Sequence, residues 1–384
     1  MSRLLIINSR IWQGDRFLDG HSLLIEGGSI RAILRADETR AAKGDSLLDA
    51  DGCYAMPGFV DLHLHGSDDC DVMDAKPESL SKLGAFLLRQ GVTSCLGTTM
   101  ADTPARISRA LDTMHEHMRA GGGPFVGVHL EGPYLNAAFR GSQPAKHLRS
   151  PTPAQYRPWL DSGIIKLITM APELDGGADL LAEAVARGIT VSIGHSAADY
   201  EAACHFFRAG ISQITHTFNG MAGLHHRAPG ILAAAVENPQ VSFQIIADGV
   251  HVHPAVLRLL LRLAGRERVL AISDAMRATG LADGDYGLGD VAVAVRDGVA
   301  RAADGGLAGS TLTMPDALRN LMRFCNLTLE QALPMLTRVP ARSIGLYPRK
   351  GSLRVGADAD IALWDESAGI KATVLGGEVL HRAL

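Results

Sequence analysis

Eight short apolar segments alternate with helical stretches between residues 56 and 345, and this alternation limits the folds open to the chain. The apolar segments are 59–66, 92–100, 125–133, 164–173, 189–196, 211–219, 241–252 and 268–276. A series of eight β/α units predicts a (β/α)8 barrel of the TIM type. An open doubly wound sheet is the alternative fold, but no GxGxxG pattern of a dinucleotide-binding fold follows the first segment.

The two ends of the chain have a different pattern, in which short strands are separated by glycine-containing turns. Near the N-terminus these segments are LLIINSRIW, SLLIEGGSIRAIL and SLLDADGCYAMPG. Near the C-terminus GSLRVGADADIALWD and IKATVLGGEVLHRAL each predict a strand–turn–strand unit. We therefore predict that residues 1–55 and 346–384 pair in one small β-sandwich domain, and that residues 56–345 form the barrel domain. The proline-rich segment SPTPAQYRP (150–158) is predicted to form a surface turn.

Composition and charge exclude several classes of partner. The formal net charge is −4 and no basic stripe is visible, which argues against binding to nucleic acid. The five cysteines are scattered without a CxxC pair, so they do not indicate a disulfide framework. The N-terminal segment lacks the features of a signal peptide, and no apolar run is long enough to predict a membrane span. We expect a cytoplasmic protein whose partner is a small molecule or another protein chain.

Histidine and carboxylate side chains stand where the predicted strands end. His63 and His65 are two residues apart in the first strand, so both rings leave it on the same face. The C-terminal ends of barrel strands meet at one face of the barrel, where catalytic residues gather. The later strand ends carry Glu131, His195, His216, Asp248, His251 and Asp274.

Imidazole and carboxylate groups converging on one barrel face are ligands typical of a divalent metal site. The pattern predicts one or two metal ions per chain. Zn²⁺ is the first expectation, with Fe²⁺, Mn²⁺ or Co²⁺ as alternatives.

Seven motifs resemble those of the amidohydrolase superfamily, and within it those of the N-acetylglucosamine-6-phosphate deacetylase family. They are HLEGPYLN (129–136), GHS (194–196), THTFNGM (215–221), HHRAPG (225–230), IADGVHVHP (246–254), SDAM (273–276) and LAGSTLTM (307–314). The resemblance covers nearly the whole chain, both predicted domains included. It implies a metal-dependent hydrolase of amino-sugar catabolism that converts N-acetyl-D-glucosamine 6-phosphate to D-glucosamine 6-phosphate and acetate.

The resemblance implies two sets of metal ligands. Glu131, His195 and His216 correspond to the ligands of the principal metal. His63 and His65 correspond to ligands of a second metal, which some members of the family lack together with the histidine pair. Because this chain has both histidines, a binuclear site is expected.

The resemblance also implies two catalytic residues. Asp274 corresponds to the general base that accepts a proton from water and returns it to the leaving amine. Gln143 stands where the better-known single-metal members have a histidine that polarises the acetyl carbonyl. Either Gln143 or the second metal is therefore expected to polarise that carbonyl.

The residues expected to contact the substrate lie in loops that follow the strands. Arg227 offers a planar fork that suits phosphate, and its neighbours Asn219, Gly220 and His226 are expected beside it. His251 is expected to contact sugar hydroxyls. The family is usually dimeric, so we expect a homodimer in which the Arg227 loop lies near the neighbouring site. The full predicted set is Ser142, Gln143, Asn219, Gly220, His226, Arg227, His251, Leu307, Ala308 and Gly309.

Three other functions remain open from the sequence. The substrate could be the C4 epimer, N-acetylgalactosamine 6-phosphate, since one hydroxyl's orientation is not readable in the motifs. Another amidohydrolase-type deacylase, for example of N-acyl amino acids, would meet a carboxylate instead of a phosphate. A non-enzymatic sensor would be expected to lack the catalytic base, but Asp274 is present.

Overall fold

The alternating segments of the sequence form 21 strands and ten α-helices within residues 3–383, the part of the chain that the computed structural model describes. The strands are β1 (Arg3–Trp12), β2 (Phe17–Glu26), β3 (Ser29–Arg35), β4 (Ser46–Asp49), β5 (Tyr54–Pro57), β6 (Phe59–Leu64), β7 (Gly66–Ser67), β8 (Cys70–Asp71), β9 (Val92–Thr98), β10 (Phe125–Glu131), β11 (Ile165–Met170), β12 (Thr190–Ile193), β13 (Gln213–Ile214), β14 (Ser242–Ile246), β15 (Val269–Ile272), β16 (Gly284–Leu288), β17 (Val291–Arg296), β18 (Val299–Ala302), β19 (Ile361–Asp365), β20 (Gly369–Leu375) and β21 (Glu378–Arg382). The α-helices are α1 (Pro77–Arg89), α2 (Pro104–Arg119), α3 (Pro153–Asp161), α4 (Gly177–Ala186), α5 (Tyr200–Arg208), α6 (Gly230–Glu237), α7 (Pro254–Ala264), α8 (Met314–Cys325), α9 (Leu329–Ala332) and α10 (Arg338–Ser343).

Eight parallel strands form a closed barrel in the middle of the chain. Their order around the sheet is β6, β9, β10, β11, β12, β13, β14 and β15. The last strand meets the first where the Asp274 N–H donates to the His63 carbonyl and the His65 N–H donates to the Ala275 carbonyl, both at 2.8 Å. The predicted TIM-type barrel is confirmed, and each of the eight apolar segments supplies one strand.

The barrel strands are apolar because helices cover their outer faces. All residues of β6 and β9 are buried. The amphipathic helices α1 and α2 bury one stripe each, which in α2 consists of Ile107, Ala110, Leu111 and Met114. Gly97 in β9 lets α2 approach closely, because a Cβ there would lie 2.6 Å from the Met114 methyl carbon. No helix of the described residues is both long and apolar enough to cross a membrane.

A second sheet is built from both ends of the chain, as the strand pattern predicted. Its order is β21, β20, β19, β5, β1, β2 and β3, with β4 paired to β1. The N-terminal β5 and the C-terminal β19 are antiparallel neighbours in its centre. Residues 351–360 contain bends, a turn and one isolated bridge from Asp358 to Ser29, so GSLRVGADADIALWD contains one strand, β19, and the predicted second strand there was wrong. The domain limits at residues 55 and 346 stay a prediction, and residues 1, 2 and 384 of that domain lie outside the described part.

The surface turn predicted for SPTPAQYRP was wrong, because this segment begins helix α3. Pro153 is its first helical residue, a position where the missing N–H has no intrahelical partner to lose. Pro158 lies inside the helix. Tyr156, Trp159 and Leu160 are buried, so tertiary packing outweighs the unfavourable second proline.

A three-stranded antiparallel sheet, β16–β18, is inserted between β15 and α8 and was not predicted. Its signal was present in the alternating residues of DVAVAVRDGVA. Asp297 and Gly298, both with positive φ (51° and 71°), form the tight turn between β17 and β18. The segment lay inside the predicted barrel range, where β/α alternation was expected instead of a hairpin.

A charge cluster fastens this inserted sheet to the barrel. The Asp290 carboxylate, between β16 and β17, lies 2.7 Å from Arg106 of α2, 3.0 Å from Lys146 and 3.3 Å from His147. Arg106 also lies 3.1 Å from the buried carboxylate of Asp102. Arg106, Lys146 and His147 together hold the pKa of Asp290 below its ordinary value. Three chain segments are therefore linked at one edge of the barrel mouth.

We expect Asp290→Asn to loosen the β16–β18 sheet without unfolding the protein. Partly exposed ion pairs contribute at most about 1 kcal/mol, so hydrogen exchange in residues 284–302 should quicken by about fivefold at most, with a Tm shift under about 2 °C. Exchange measured by mass spectrometry checks this. The matched control is Asp285→Asn, which removes only the exposed pair with Arg296 in the same sheet. Equal exchange in the two variants would contradict a fastening role for Asp290.

Candidate metal centre and substrate cavity

Glu131 lies between two groups of metal-ligating side chains at the C-terminal end of the barrel. Its Oε1 atom is 3.1 Å from His195 Nε2 and 3.3 Å from His216 Nε2. Its Oε2 atom is 3.5 Å from His63 Nε2 and 3.3 Å from His65 Nε2. We call Glu131, His195 and His216 the first donor group.

The second donor group consists of His63, His65 and Asp274. Asp274 Oδ1 lies 3.4 Å from His63 Nε2 and 3.3 Å from His65 Nε2. All six side chains of the two groups belong to buried residues, and within each group the ligand atoms lie within 4.8 Å of one another. The structure thus brings together the residues that the sequence predicted as metal ligands, and Asp274 with them.

Strand ends and local backbone conformation aim these side chains into one space. Glu131 is the last residue of β10, and the histidines and Asp274 stand at or just past the ends of their strands. His195, His216 and Asp274 have positive φ values of 49°, 26° and 50°. This left-handed conformation is unfavourable for non-glycine residues, and its persistence at functional sites requires support from the surrounding structure.

In the first donor group, backbone carbonyls orient both imidazole rings. Nδ1 of His195 donates to the Phe139 carbonyl at 2.8 Å, and Nδ1 of His216 donates to the Asn219 carbonyl at 3.1 Å. In the neutral rings both Nε2 atoms then carry lone pairs, yet they lie only 3.1 Å apart and beside a carboxylate. Lone pairs and negative charge so close together repel unless a cation lies between them, so the first donor group fits a divalent metal.

The imidazole rings of the second donor group lack the Nδ1 hydrogen bonds that orient the rings of the first. The Nδ1 atoms of His63 and His65 are buried and have no hydrogen-bond partner among residues 3–383. Burial disfavours a charge on His65, but the carboxylates of Asp274 and Glu131 outweigh it and raise the pKa of His65 to about 10. Burial likewise opposes ionisation of Asp274, while the neighbouring His63 and His65 lower its pKa to about 2. Protons therefore balance the carboxylates here, and a metal that binds must displace them.

Two further polar residues support the metal centre. Asp61, two residues before His63 on the same strand face, accepts from the Ser273 hydroxyl at 2.6 Å and so ties β6 to the segment that carries Asp274. His129, two residues before Glu131, packs edge-on against the His63 ring at 4.5 Å between centroids. Burial, together with the nearby His63, lowers the pKa of His129 well below its usual value. Each of the two residues precedes a histidine or carboxylate of the donor groups by two positions on the same strand face, a spacing that is visible in the sequence.

Gln143 lies against Glu131 rather than free in the cavity. Its Nε2 donates to Glu131 Oε2 at 2.8 Å, and its Oε1 accepts from the Ala101 N–H at 2.9 Å. These two contacts leave one amide hydrogen of Gln143 for another acceptor. Its role towards a carbonyl oxygen stays a prediction.

A cavity of about 300 Å³ opens above the two donor groups. Seven residues predicted to contact the substrate line it, namely Ser142, Gln143, Asn219, Gly220, His251, Leu307 and Gly309. Ala308 is buried behind the wall, and His226 and Arg227 lie outside the cavity in an exposed loop. Sequence reasoning missed Met100, Gly141, Leu288, Asp304 and Gly306, which also line it. The last three come from the unpredicted sheet and the loop that follows it.

A (β/α)8 barrel with imidazole and carboxylate ligands at its C-terminal face defines the class of metal-dependent amidohydrolase-type proteins. The amidohydrolase family model matches residues 54–380, and the chain belongs to this family.

Proteins similar to this chain over most of its length include deacetylases of N-acetylated amino-sugar phosphates. An N-acetylglucosamine-6-phosphate deacetylase of Vibrio furnissii is 37% identical over 383 residues, covering 98% of this chain and 94% of that protein. An N-acetylgalactosamine-6-phosphate deacetylase of Escherichia coli O157:H7 is 33% identical, with 96% of this chain and 97% of that protein covered. A solved structure from Mycobacterium smegmatis, an alanine variant of N-acetyl-D-glucosamine-6-phosphate deacetylase in complex with N-acetyl-D-glucosamine-6-phosphate, has a TM-score of 0.90 and 32% identity, covering 99% of this chain and 100% of that chain.

We expect wild-type protein loaded with Zn²⁺ to hold close to two ions per chain, and His63→Asn to hold about one. The two donor groups have separate histidines, so loss of His63 should weaken mainly the second. His195→Asn is the matched variant for the first group, and elemental analysis after gel filtration gives the ratio. Retention of two ions by His63→Asn would count against a second metal position.

Proposed function

We propose that this protein is a metal-dependent deacetylase that hydrolyses N-acetyl-D-glucosamine 6-phosphate to D-glucosamine 6-phosphate and acetate. The observation that carries the proposal is the first donor group, whose converging lone pairs fit a divalent cation at the floor of a cavity large enough for a small ligand. Membership of the amidohydrolase family and the named deacetylases among its relatives support the substrate class.

Amide hydrolysis at neutral pH needs an activated water and an acid for the leaving amine. A divalent metal, when bound by Glu131, His195 and His216, supplies Lewis acidity and lowers the pKa of water to about 7. Asp274 then serves as the proton carrier. Its carboxylate is ionised at neutral pH and lies 3.4 Å from His63 Nε2 and 3.3 Å from His65 Nε2, beside the donor groups, where it can receive the proton. It returns that proton to the amine, which cannot leave as an anion.

Gln143 and the second donor group are the two candidates for stabilising negative charge on the acetyl oxygen. The amide of Gln143 is held by Glu131 and Ala101, so its remaining N–H is fixed in direction. His63 and His65 would hold a second cation if one is present. Zn²⁺ suits the nitrogen and oxygen donors of both groups and is our proposal for the metal.

The phosphate group calls for a lysine or arginine, which the described wall of the cavity does not provide. No lysine or arginine of residues 3–383 lines it, and Asp304 adds a carboxylate. Arg227 lies in an exposed loop, where its guanidinium contacts His226 Nε2 at 2.7 Å. We propose that the protein is a homodimer in which Arg227, with His226 beside it, reaches the cavity of the second copy near Asn219 and Gly220.

The C4 epimer, N-acetyl-D-galactosamine 6-phosphate, is the second candidate substrate. It is favoured by the 33% identity to the deacetylase of that sugar from Escherichia coli O157:H7, which is within a few per cent of the identity to the glucosamine enzymes. Parallel kinetics on the two epimers decide between them. A deacylase of N-acyl amino acids would act on substrates that have no phosphate. Acetate release that depends on the 6-phosphate of the sugar therefore excludes that function.

A cytoplasmic location completes the proposal. All five cysteines are free thiols in the structure, which agrees with a reducing compartment.

We expect Asp274→Asn to lower kcat for acetate release by about 10³-fold, since general acid–base catalysis typically contributes 10²–10⁴-fold. Elemental analysis of the same sample shows whether at least the first donor group keeps its ion. Asp285→Asn, an exposed carboxylate change in the inserted sheet, is the control and should retain activity. Unchanged turnover in a metal-loaded Asp274→Asn protein would remove Asp274 from its proposed role.

We expect Arg227→Ala to raise KM by about 10–100-fold through loss of a charge-assisted contact to phosphate. Arg31→Ala in the distant end sheet controls for net charge. Mixed dimers test whether Arg227 acts across copies. When Arg227→Ala and Asp274→Asn chains are co-refolded, each mixed dimer contains one site with both residues intact, so activity should recover. No recovery in verified mixed dimers would contradict action across the interface.

A further inference from the structure

The Asp248 carboxylate is fixed by three hydrogen bonds, one of which comes from the His251 ring. Asp248 Oδ1 accepts from the N–H groups of Val250 and His251, both at 2.8 Å. Asp248 Oδ2 lies 2.6 Å from His251 Nδ1. The His251 side chain is 6% exposed and that of Asp248 17%. With one oxygen held by the backbone, the other faces the ring and has no freedom to turn away.

This arrangement determines which ring nitrogen of His251 carries the proton. An ionised carboxylate only accepts hydrogen bonds, so Nδ1 must be the donor. Burial opposes ionisation of Asp248, but its bonds with His251 and Val250 lower its pKa below the ordinary value, so the carboxylate is ionised. In the neutral ring, Nε2 then carries the lone pair and presents an acceptor.

The acceptor nitrogen is free to meet a ligand. His251 Nε2 makes no hydrogen bond to any residue between 3 and 383 that the structure describes. His251 lines the 300 Å³ cavity above the metal centre and also borders a second cavity of about 250 Å³ that contains Asp248 and Asp297. Asp248 thus supports the ring from behind, and the ring forms part of the wall of the main cavity.

We propose that Asp248 is a positioning residue that fixes His251 as a hydrogen-bond acceptor for one hydroxyl of the sugar ring. This rests on the proposed function, since the hydroxyl belongs to the N-acetylhexosamine 6-phosphate. A hydroxyl is a donor that matches a lone pair, whereas a fully ionised phosphate has no hydrogen to give. The dyad therefore recognises the sugar and not its phosphate.

The Asp248→Asn variant distinguishes the positioning role of Asp248 from a packing role. The side chain keeps its shape, but the group that faces His251 Nδ1 changes from a hydrogen-bond acceptor to a donor. The two backbone N–H groups keep the amide oxygen, so the amide NH₂ faces Nδ1 and favours the tautomer with the proton on Nε2. Replacement of an acceptor by a donor opposite a hydroxyl should raise KM about tenfold and leave kcat within about threefold. Asp297→Asn, in the same second cavity without a bond to His251, is the matched control and should keep the wild-type KM.

Substrate analogues that lack the hydroxyl at C1, C3 or C4 identify the partner. The Asp248→Asn penalty should disappear with one analogue and persist with the other two. A penalty that persists with all three analogues, or an unchanged KM on the parent substrate, overturns the proposal.

The tautomer is measured independently of turnover. At pH 8, above the usual titration range of imidazole, ¹⁵N-detected spectra of metal-loaded wild type should show His251 protonated on Nδ1, assigned by its loss in His251→Gln. Wild-type protonation on Nε2 overturns the proposal even if Asp248→Asn fails to fold. If wild type releases no acetate, the proposed function fails, while the spectrum still tests the Asp248–His251 contact.

Discussion

The shared carboxylate of Glu131 is the contact on which the metal centre depends. Each of its two oxygens faces a different pair of histidines, so one side chain sets the separation of the two donor groups. That position in turn requires the barrel to close, because His63 and His65 leave β6 beside Asp274 only where the first and last strands pair. Asp61 reinforces the same closure by binding Ser273 next to Asp274. Closure of the barrel and the geometry of the two donor groups therefore depend on the same contacts.

The sequence predicted the barrel and the convergence of these side chains for a simple physical reason. Each ligand follows an apolar run, and parallel strand ends must share one face, so His195 and His216 could be placed together without knowing any contact between them. Contacts between residues far apart in the sequence were harder to predict. Nothing near Gln143 in the sequence shows that its amide binds both Glu131 and Ala101, and the two prolines of α3 resembled a turn because the burial of Tyr156 and Trp159 is a tertiary effect.

The inserted β16–β18 sheet was not predicted, although its alternating pattern is present in the sequence. DVAVAVRDGVA alternates with period two, but a barrel range with a regular β/α series left no place for a hairpin. Once placed, this sheet accounts for Leu288 at the cavity wall, and the loop after it supplies Asp304 and Leu307. Part of the predicted LAGSTLTM motif thus reaches the cavity through an element that the sequence interpretation did not contain.

The distribution of charge in the cavity is the reason for proposing that a second copy completes the site. The described cavity is lined by the carboxylates of Glu131, Asp274 and Asp304 and by several histidines, but by no lysine or arginine. A cation at the donor groups offsets the first two carboxylates, but it lies at the cavity floor, where the amide must react. In the proposed substrate the acetamido group is on C2 and the phosphate on O6, so with the amide at the floor the phosphate would lie towards the mouth. In the proposed homodimer, the exposed Arg227 loop of a second copy would supply the opposite charge at that end, which is the physical reason for the proposal.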